Sequence, residues 1–147
     1  MKKIWIILVL FLFVLVGCSK KPFLVLETRA DISQPIEISS NELTVMLEND
    51  EDFFLYISSV TCSSCIEFRP ILLEFMEEHR FVVYQIESDS TFPTSNALIP
   101  YEFTPTIVLV SKGKVVVNIN QFRQSTPFSS VEEFEKFLFK TIVKNPA

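Results

Sequence analysis

The chain has 147 residues, a formal net charge of −5 and 48% hydrophobic residues, with 15 phenylalanines and only two glycines. This composition is typical of one compact domain and excludes a repetitive or low-complexity chain. We expect the phenylalanines to form its core. The sequence contains no run of basic residues, so we expect no nucleic-acid partner.

The first 17 residues are typical of an export signal rather than of a folded domain. Two lysines follow Met1, and the 13 residues at 4–16 are apolar without interruption. Such a stretch is short for a bilayer-spanning helix but usual for a secretory signal. It ends in Leu-Val-Gly-Cys at residues 15–18, which resembles a bacterial lipobox. The resemblance implies cleavage after Gly17 and lipid attachment to the Cys18 sulfur.

The alternative is an uncleaved N-terminal anchor with an incidental cysteine at position 18. Both interpretations place the domain outside the cytoplasm, tethered to the cell membrane. The cysteine count favours lipidation, because a lipid on Cys18 uses one of three cysteines and leaves a single pair. Outside the cytoplasm such a pair can persist as a disulfide. The chain from Cys18 onwards has a net charge of −7, so we expect the lipid, not surface charge, to hold it on the membrane.

Residues 18–34 are predicted to be the lipidated cysteine and a tether, with one candidate edge strand at Phe23–Leu26. The remaining chain, residues 35–147, is predicted to form the domain. Serine pairs at 39–40 and 129–130 precede helical patterns and are candidate N-caps. In chain order the predicted elements are strand 35–39, helix 41–48, strand 53–58, helix 66–79, strand 81–86, a short helix at 95–99, strands 106–110 and 115–119, and helix 131–143.

The motif that carries chemistry is Cys62-Ser-Ser-Cys65, between an apolar strand and a helical segment. This order places the Cys62 thiol at a helix N-terminus, where unpaired backbone N–H groups and the helix dipole favour a thiolate. Cys65 lies one turn further on, within reach to close a disulfide. We therefore predict a redox pair in which Cys62 is the exposed nucleophile and Cys65 the more buried resolving thiol.

Two other roles for the pair are open. The first is an inert disulfide, but so short a loop removes little entropy from the unfolded chain, so stability is a poor reason for it. The second is a metal site. Structural zinc usually needs four ligands, and the only histidine, His79, lies fourteen residues beyond Cys65. We predict no metal and no cofactor, because the two sulfurs can hold the electrons themselves.

The element order βαβαβαββα, with the pair after the central strand, resembles the thioredoxin-like superfamily over about residues 36–144. The matching features are the CxxC motif, Pro70 five residues after Cys65, Thr104-Pro105 before a strand, and Gly113 in the following hairpin turn. The resemblance implies an α/β fold with a central mixed sheet of four to five strands flanked by helices. With its lipoprotein signal the chain is most similar to small secreted members, such as the bacteriocin-transport accessory proteins.

This resemblance also implies functions for single residues. Pro105 would be cis and lie against the cysteine pair, and Thr104 would offer backbone groups to a bound peptide. Tyr56 stands where several relatives bury an acid, and Val83 where the usual lysine companion of that acid lies. Proton transfer at the resolving thiol would then use the Tyr56 hydroxyl, water or another group.

The sequence thus predicts an extracytoplasmic, membrane-tethered thiol–disulfide oxidoreductase. Its partners would be thiols or disulfides of exported proteins or peptides, together with an unidentified membrane redox partner. Ser63-Ser64, between the cysteines, tunes the reduction potential, so reductase, oxidase and isomerase directions all stay open. The alternatives are an accessory lipoprotein that binds exported peptides and keeps a structural or vestigial pair, and an envelope redox sensor.

Overall fold

The computed structural model describes residues 24–144, so the signal sequence and Cys18 lie outside the described residues. The elements in chain order are β1 (Ile36–Glu37), α1 (Ser40–Glu48), β2 (Phe53–Ser58), α2 (Ser63–His79), β3 (Val83–Glu87), β4 (Thr106–Ser111), β5 (Lys114–Asn120), a 3₁₀ turn (Thr126–Phe128) and α3 (Val131–Lys144). Within residues 24–144, no helix combines the length and the apolar character that crossing a membrane requires.

The five strands form one mixed sheet in the order β1-β3-β2-β4-β5. Strands β1, β3 and β2 are parallel, whereas β4 is antiparallel to both β2 and β5. All six residues of β2 are buried, which explains its continuous apolar sequence, since a central strand with both faces covered needs no polar side. The predicted α/β fold with a mixed sheet flanked by helices is confirmed.

The helices cover the two faces of the sheet because the side chains of β2 alternate. Phe54 and Tyr56 point to one face, where they join a core cluster with residues of α2 and α3. Phe53, Leu55 and Ile57 point to the other face and pack with residues of α1. The phenylalanines of α2 and α3 therefore pack against Phe54 of β2. This packing holds the start of α2 near the end of β2.

Three predicted local features, two helix caps and a hairpin turn, are confirmed. Ser39 caps α1 in a reciprocal capping box with Glu42, whose carboxylate accepts the Ser39 backbone N–H at 2.7 Å. The Ser130 hydroxyl accepts the backbone N–H of Glu133 at 3.3 Å at the start of α3. The turn between β4 and β5 contains only Lys112 and Gly113, both at positive φ, which is the usual geometry of a two-residue hairpin.

The predicted helix at residues 95–99 is wrong. The segment between β3 and β4 contains turns and bends instead. The Asn96 side chain explains this, because its amide nitrogen donates to the carbonyls of Pro93 and Ile99 while its oxygen accepts the N–H groups of Leu98 and Ile99. A side chain that satisfies the backbone in this way competes with helical hydrogen bonds.

The segment assigned to the tether also differs from expectation. Residues 24–26 form no strand, and Leu24, Leu26 and Ile32 are buried in the core. Strand β3 begins at Val83 rather than at residue 81 because Phe81 bridges to Thr28 of this segment instead. Packing against the sheet therefore starts before residue 35.

This N-terminal segment contacts the end of the sheet where β2 and β3 begin. The Val25 N–H donates to the Asp52 carboxylate at 3.0 Å, directly before β2. The Val82 N–H donates to the Glu27 carbonyl at 2.9 Å, directly before β3. Cys62 lies four residues beyond Ser58, the last residue of β2, at the other end of that strand. The chain therefore enters the domain at the end of the sheet opposite to the cysteine pair.

Candidate active site

Cys62 is the N-cap residue of α2, as the sequence predicted. Its backbone is extended, with φ −89° and ψ 109°, and its Sγ accepts the Cys65 backbone N–H at 3.0 Å. The Cys62 carbonyl also accepts the backbone N–H groups of Cys65 and Ile66, at 3.1 and 3.3 Å. A sulfur in this position uses one of the unpaired donors of the first helical turn, and the helix dipole favours its anionic form.

The two cysteines form a disulfide, with their Cα atoms 5.2 Å apart. Cys65 is buried at 5% exposure, whereas Cys62 is partly exposed and lines an open groove. An incoming sulfur therefore reaches Cys62 before Cys65. This asymmetry is what the predicted roles of nucleophile and resolving thiol require.

The Thr104–Pro105 peptide bond is cis and lies against the cysteine pair. The Thr104 carbonyl oxygen is 3.3 Å from Cys62 Sγ, although the two residues are 42 positions apart in the sequence. In the disulfide the sulfur has no hydrogen, so this is a contact. In the dithiol form the Cys62 S–H can donate to the same oxygen. Pro105 is buried and Thr104 is half-buried.

Tyr56 lies beneath the pair, where its hydroxyl donates to the Cys65 carbonyl at 3.5 Å. Burial raises the pKa of Tyr56 to about 12, so the phenol stays neutral at physiological pH. The strand register corrects the predicted neighbour of Tyr56. Tyr56 pairs with Gln85, whereas Val83 pairs with Phe54. The residue beside the buried phenol on β3 is therefore an amide.

Two polar residues of α2, Arg69 and His79, make contacts away from the sulfurs. The Arg69 guanidinium donates to the side-chain oxygens of Gln34 at 2.9 Å and Gln85 at 3.4 Å. The His79 ring is at the far end of α2, where its Nε2 is 2.5 Å from a Glu135 carboxylate oxygen of α3. His79 is half-buried rather than a free surface residue, so its contacts indicate a structural role.

Glu78 lies in the same cluster as His79 and Glu135, and ligand-type atoms of these three residues are within 4.8 Å of one another. A hydrogen bond with Glu135 raises the pKa of Glu78, and the bond with His79 lowers the pKa of Glu135. The direct contact between His79 and Glu135 leaves no room for an ion between those two atoms. The cluster therefore joins α2 to α3 by hydrogen bonds.

An open groove of about 400 Å³ runs beside Cys62. Phe103 and Phe122 line it with exposed fractions of 46% and 72%, so the expectation of a core position is wrong for these two rings. In the sequence, only its position directly before Thr104 indicated that Phe103 lies near the site, and nothing indicated this for Phe122. The remaining lining residues are Ser59, Thr61, Ser63, Ser64, Ser88, Thr94, Tyr101, Glu102 and Thr104.

Comparison with solved structures identifies the architecture. The chain has a thioredoxin-like fold. A mutant thioredoxin from Halobacterium salinarum superposes with a TM-score of 0.56 at 20% identity, over 78% of this chain and 96% of that one. Thioredoxin f2 from Chlamydomonas reinhardtii gives 0.56 at 12% identity, over 78% and 99%. Thioredoxin from Trypanosoma brucei brucei gives 0.55 at 12% identity, over 77% and 98%. No protein-family model and no curated protein matches the sequence.

At these identities the comparison shows the fold alone, so the chemistry has to be argued from the residues of this chain. The thioredoxin-like fold of this protein brings together a half-exposed N-cap sulfur, a buried second sulfur and the Thr104 carbonyl. Thiol–disulfide exchange needs an accessible thiolate and a second thiol close enough to displace a bound substrate. The start of α2 supplies an accessible sulfur and, bonded to it, a second sulfur that is buried.

Proposed function

We propose that this protein is an extracytoplasmic, membrane-tethered thiol–disulfide oxidoreductase that acts on exported proteins or peptides. The observation that carries the proposal is the position of Cys62. Its sulfur caps α2, accepts the Cys65 N–H at 3.0 Å and lines a groove beside the Thr104 carbonyl. A stapling disulfide would need none of these features.

In the reducing direction the Cys62 thiolate attacks one sulfur of a substrate disulfide. A bond forms between the two sulfurs, and the other substrate sulfur leaves as a thiolate that takes up a proton. The Cys65 thiolate then attacks Cys62, closes the intramolecular disulfide and releases the second substrate thiol. The substrate gains two electrons, and the cysteine pair loses them. In the oxidising direction the same steps run backwards, so no cofactor is needed for either.

The proposed tether is a lipid on Cys18. Leu24, the first residue that the structure describes, is buried, and five residues, 19–23, lie between it and the proposed lipid site in the sequence. Six residue steps span at most roughly 20 Å, which would hold the domain close to the membrane. Because the N-terminal segment contacts the sheet end opposite to Cys62, we propose that the groove faces away from the membrane, towards exported substrates. The proposed likeness to bacteriocin-transport accessory proteins fits a peptide substrate.

Replacement of Cys62 by serine tests the activity. We expect the full chain, purified in detergent, to reduce insulin disulfides in the presence of dithiothreitol and Cys62→Ser to lose that activity. Once reduced and freed of dithiothreitol, Cys65→Ser should instead trap a covalent mixed disulfide with the substrate, because the resolving thiol is missing. Cys18→Ser is the matched control, since it removes the one cysteine outside the Cys62-Ser-Ser-Cys65 motif and should keep full insulin reduction.

Full cellular function in Cys62→Ser would contradict the enzyme and favour a binding lipoprotein. Function lost together with insulin reduction supports the enzyme. A redox sensor predicts a signalling partner and slow turnover of insulin. Fatty-acid labelling tests the tether separately, because label should be incorporated into the wild type and be absent from Cys18→Ser. Equilibration with glutathione mixtures gives the reduction potential, where about 30 mV corresponds to a tenfold change in the equilibrium.

A further inference from the structure

Exposed apolar side chains are concentrated around Cys62. Nine large hydrophobic residues within the described range are exposed, and four of these lie on the groove or within four residues of Cys62 along the chain. The four are Val60, Ile66, Phe103 and Phe122. Scattered exposed apolar residues need no explanation, but a cluster beside a reactive group indicates a binding surface.

The two rings form what we call the aromatic wall, made of Phe103 and Phe122. Their centroids are 4.7 Å apart, although one ring precedes β4 and the other follows β5. The residues next to them, Glu102 and Arg123, form a two-pronged ion pair with N–O distances of 2.7 and 3.2 Å. The Asn118 amide adds a bond to the Pro100 carbonyl at 2.7 Å. The wall is therefore braced at both ends while its rings stay exposed.

The groove offers little to a small anionic disulfide. Glu102 is the only charged residue among the described residues that line it. Arg123, the residue after Phe122 in the chain, is already paired with Glu102. Most of the other lining residues are serines and threonines, whose hydroxyls can hydrogen-bond to the backbone of a peptide. Among the described residues, the groove lining thus combines two exposed aromatic rings with uncharged hydroxyls and contains no lysine or arginine.

Resting on the oxidoreductase function proposed above, we infer that the aromatic wall selects extended segments of incompletely folded exported proteins. Such a segment carries an aromatic or large aliphatic side chain within about three residues of its cysteine. We expect this spacing because Phe103 directly precedes Thr104 in the chain, and the Thr104 carbonyl contacts the Cys62 sulfur. In a folded substrate such side chains are mostly buried, so a chain that is still unfolded offers them to the wall.

Three reporter disulfides test this inference on the reduced full chain in detergent. Each joins 2-nitro-5-thiobenzoate, which absorbs on release, to a different thiol. The first thiol is an octapeptide with phenylalanine two residues from its cysteine, the second is the same peptide with serine at that place, and the third is glutathione. We expect the wild type to react about tenfold faster with the phenylalanine peptide than with the serine peptide, the ratio that burial of roughly 55 Å² of apolar surface gives.

Phe122→Ala should bring that ratio close to one by slowing the reaction with the phenylalanine peptide, whereas Phe122→Leu should keep most of the preference. Phe139→Ala is the matched control, because Phe139 is an exposed ring on α3 that does not line the groove. Equal rates with the two peptides in the wild type, or a preference kept in Phe122→Ala, would overturn the inference. Release from none of the three reporters would overturn the oxidoreductase function as well.

Discussion

Asp52 joins three parts of the chain at the end of the sheet opposite to the cysteine pair. Its carboxylate accepts the backbone N–H of Val25 at 3.0 Å, the backbone N–H of Lys112 at 2.7 Å and the hydroxyl of Ser111 at 3.1 Å. A hydrogen bond to a charged group contributes roughly 1.5–3 kcal/mol to stability. Here the donors can bond to water once the carboxylate is removed, so we assign about 1 kcal/mol to each of the three bonds. Asp52→Ala should therefore lower the free energy of unfolding by about 2–3 kcal/mol.

Urea unfolding followed by far-ultraviolet circular dichroism measures this change, and thermal unfolding should show a loss of about 10 °C in Tm for a domain of this size. Asp31→Ala is the matched control, since Asp31 is 76% exposed and pairs with Arg29 at 3.5 Å, a surface contact that contributes little. The alkylation rate of Cys62 should stay within twofold of the wild type in both variants, because the substitutions are remote from the groove. A loss in Asp52→Ala no larger than that in Asp31→Ala would refute the reasoning.

Two further predictions concern the hairpin turn and the buried phenol. Gly113→Ala should lower the free energy of unfolding by about 3 kcal/mol or more, because φ is +67° and the new Cβ would collide with the Leu47 carbonyl. Urea titration measures this loss, and Lys114→Ala, at an exposed neighbouring position, should change the stability little. Tyr56 has a pKa raised by burial to about 12, so it favours the folded state below pH 10 and this contribution is lost as pH rises towards 12. Between pH 9 and 11 the wild type should lose about 1.3 kcal/mol relative to Tyr56→Phe, and equal pH dependence of the two proteins would contradict the burial of this hydroxyl.

The fold could be predicted because local signals agreed with one another. The apolar run of β2, the serine caps and the short turn at Gly113 each determine local structure through the chain's own chemistry, and all are found in the structure. The helix expected at residues 95–99 failed because a single side chain, Asn96, satisfies the backbone of that loop. The spacing of apolar residues in the sequence does not indicate such a side-chain hydrogen bond.

The site could be predicted only in part. The N-cap position of Cys62 follows from its place between a strand and a helix. The contact of its sulfur with Thr104 depends on the packing of β4 beside β2, which the sequence suggests only through the resemblance. Phe122 carries no sequence signal at all, because it is one of 15 phenylalanines and its exposure depends on where the chain leaves β5. The aromatic wall is thus a product of tertiary structure.

The register of β2 against β3 also limits how the second half of the exchange can proceed. A group that takes a proton from Cys65 needs a pKa near the working pH. Burial raises the pKa of Tyr56 to about 12, and its hydroxyl already donates to the Cys65 carbonyl. Gln85, its neighbour on β3, has an amide side chain that does not act as an acid or a base near neutral pH. Tyr56 therefore positions the first turn of α2 rather than serving as a base. Because Cys62 opens onto the groove, the proton of the resolving thiol is best exchanged with water or with the departing substrate sulfur on that side.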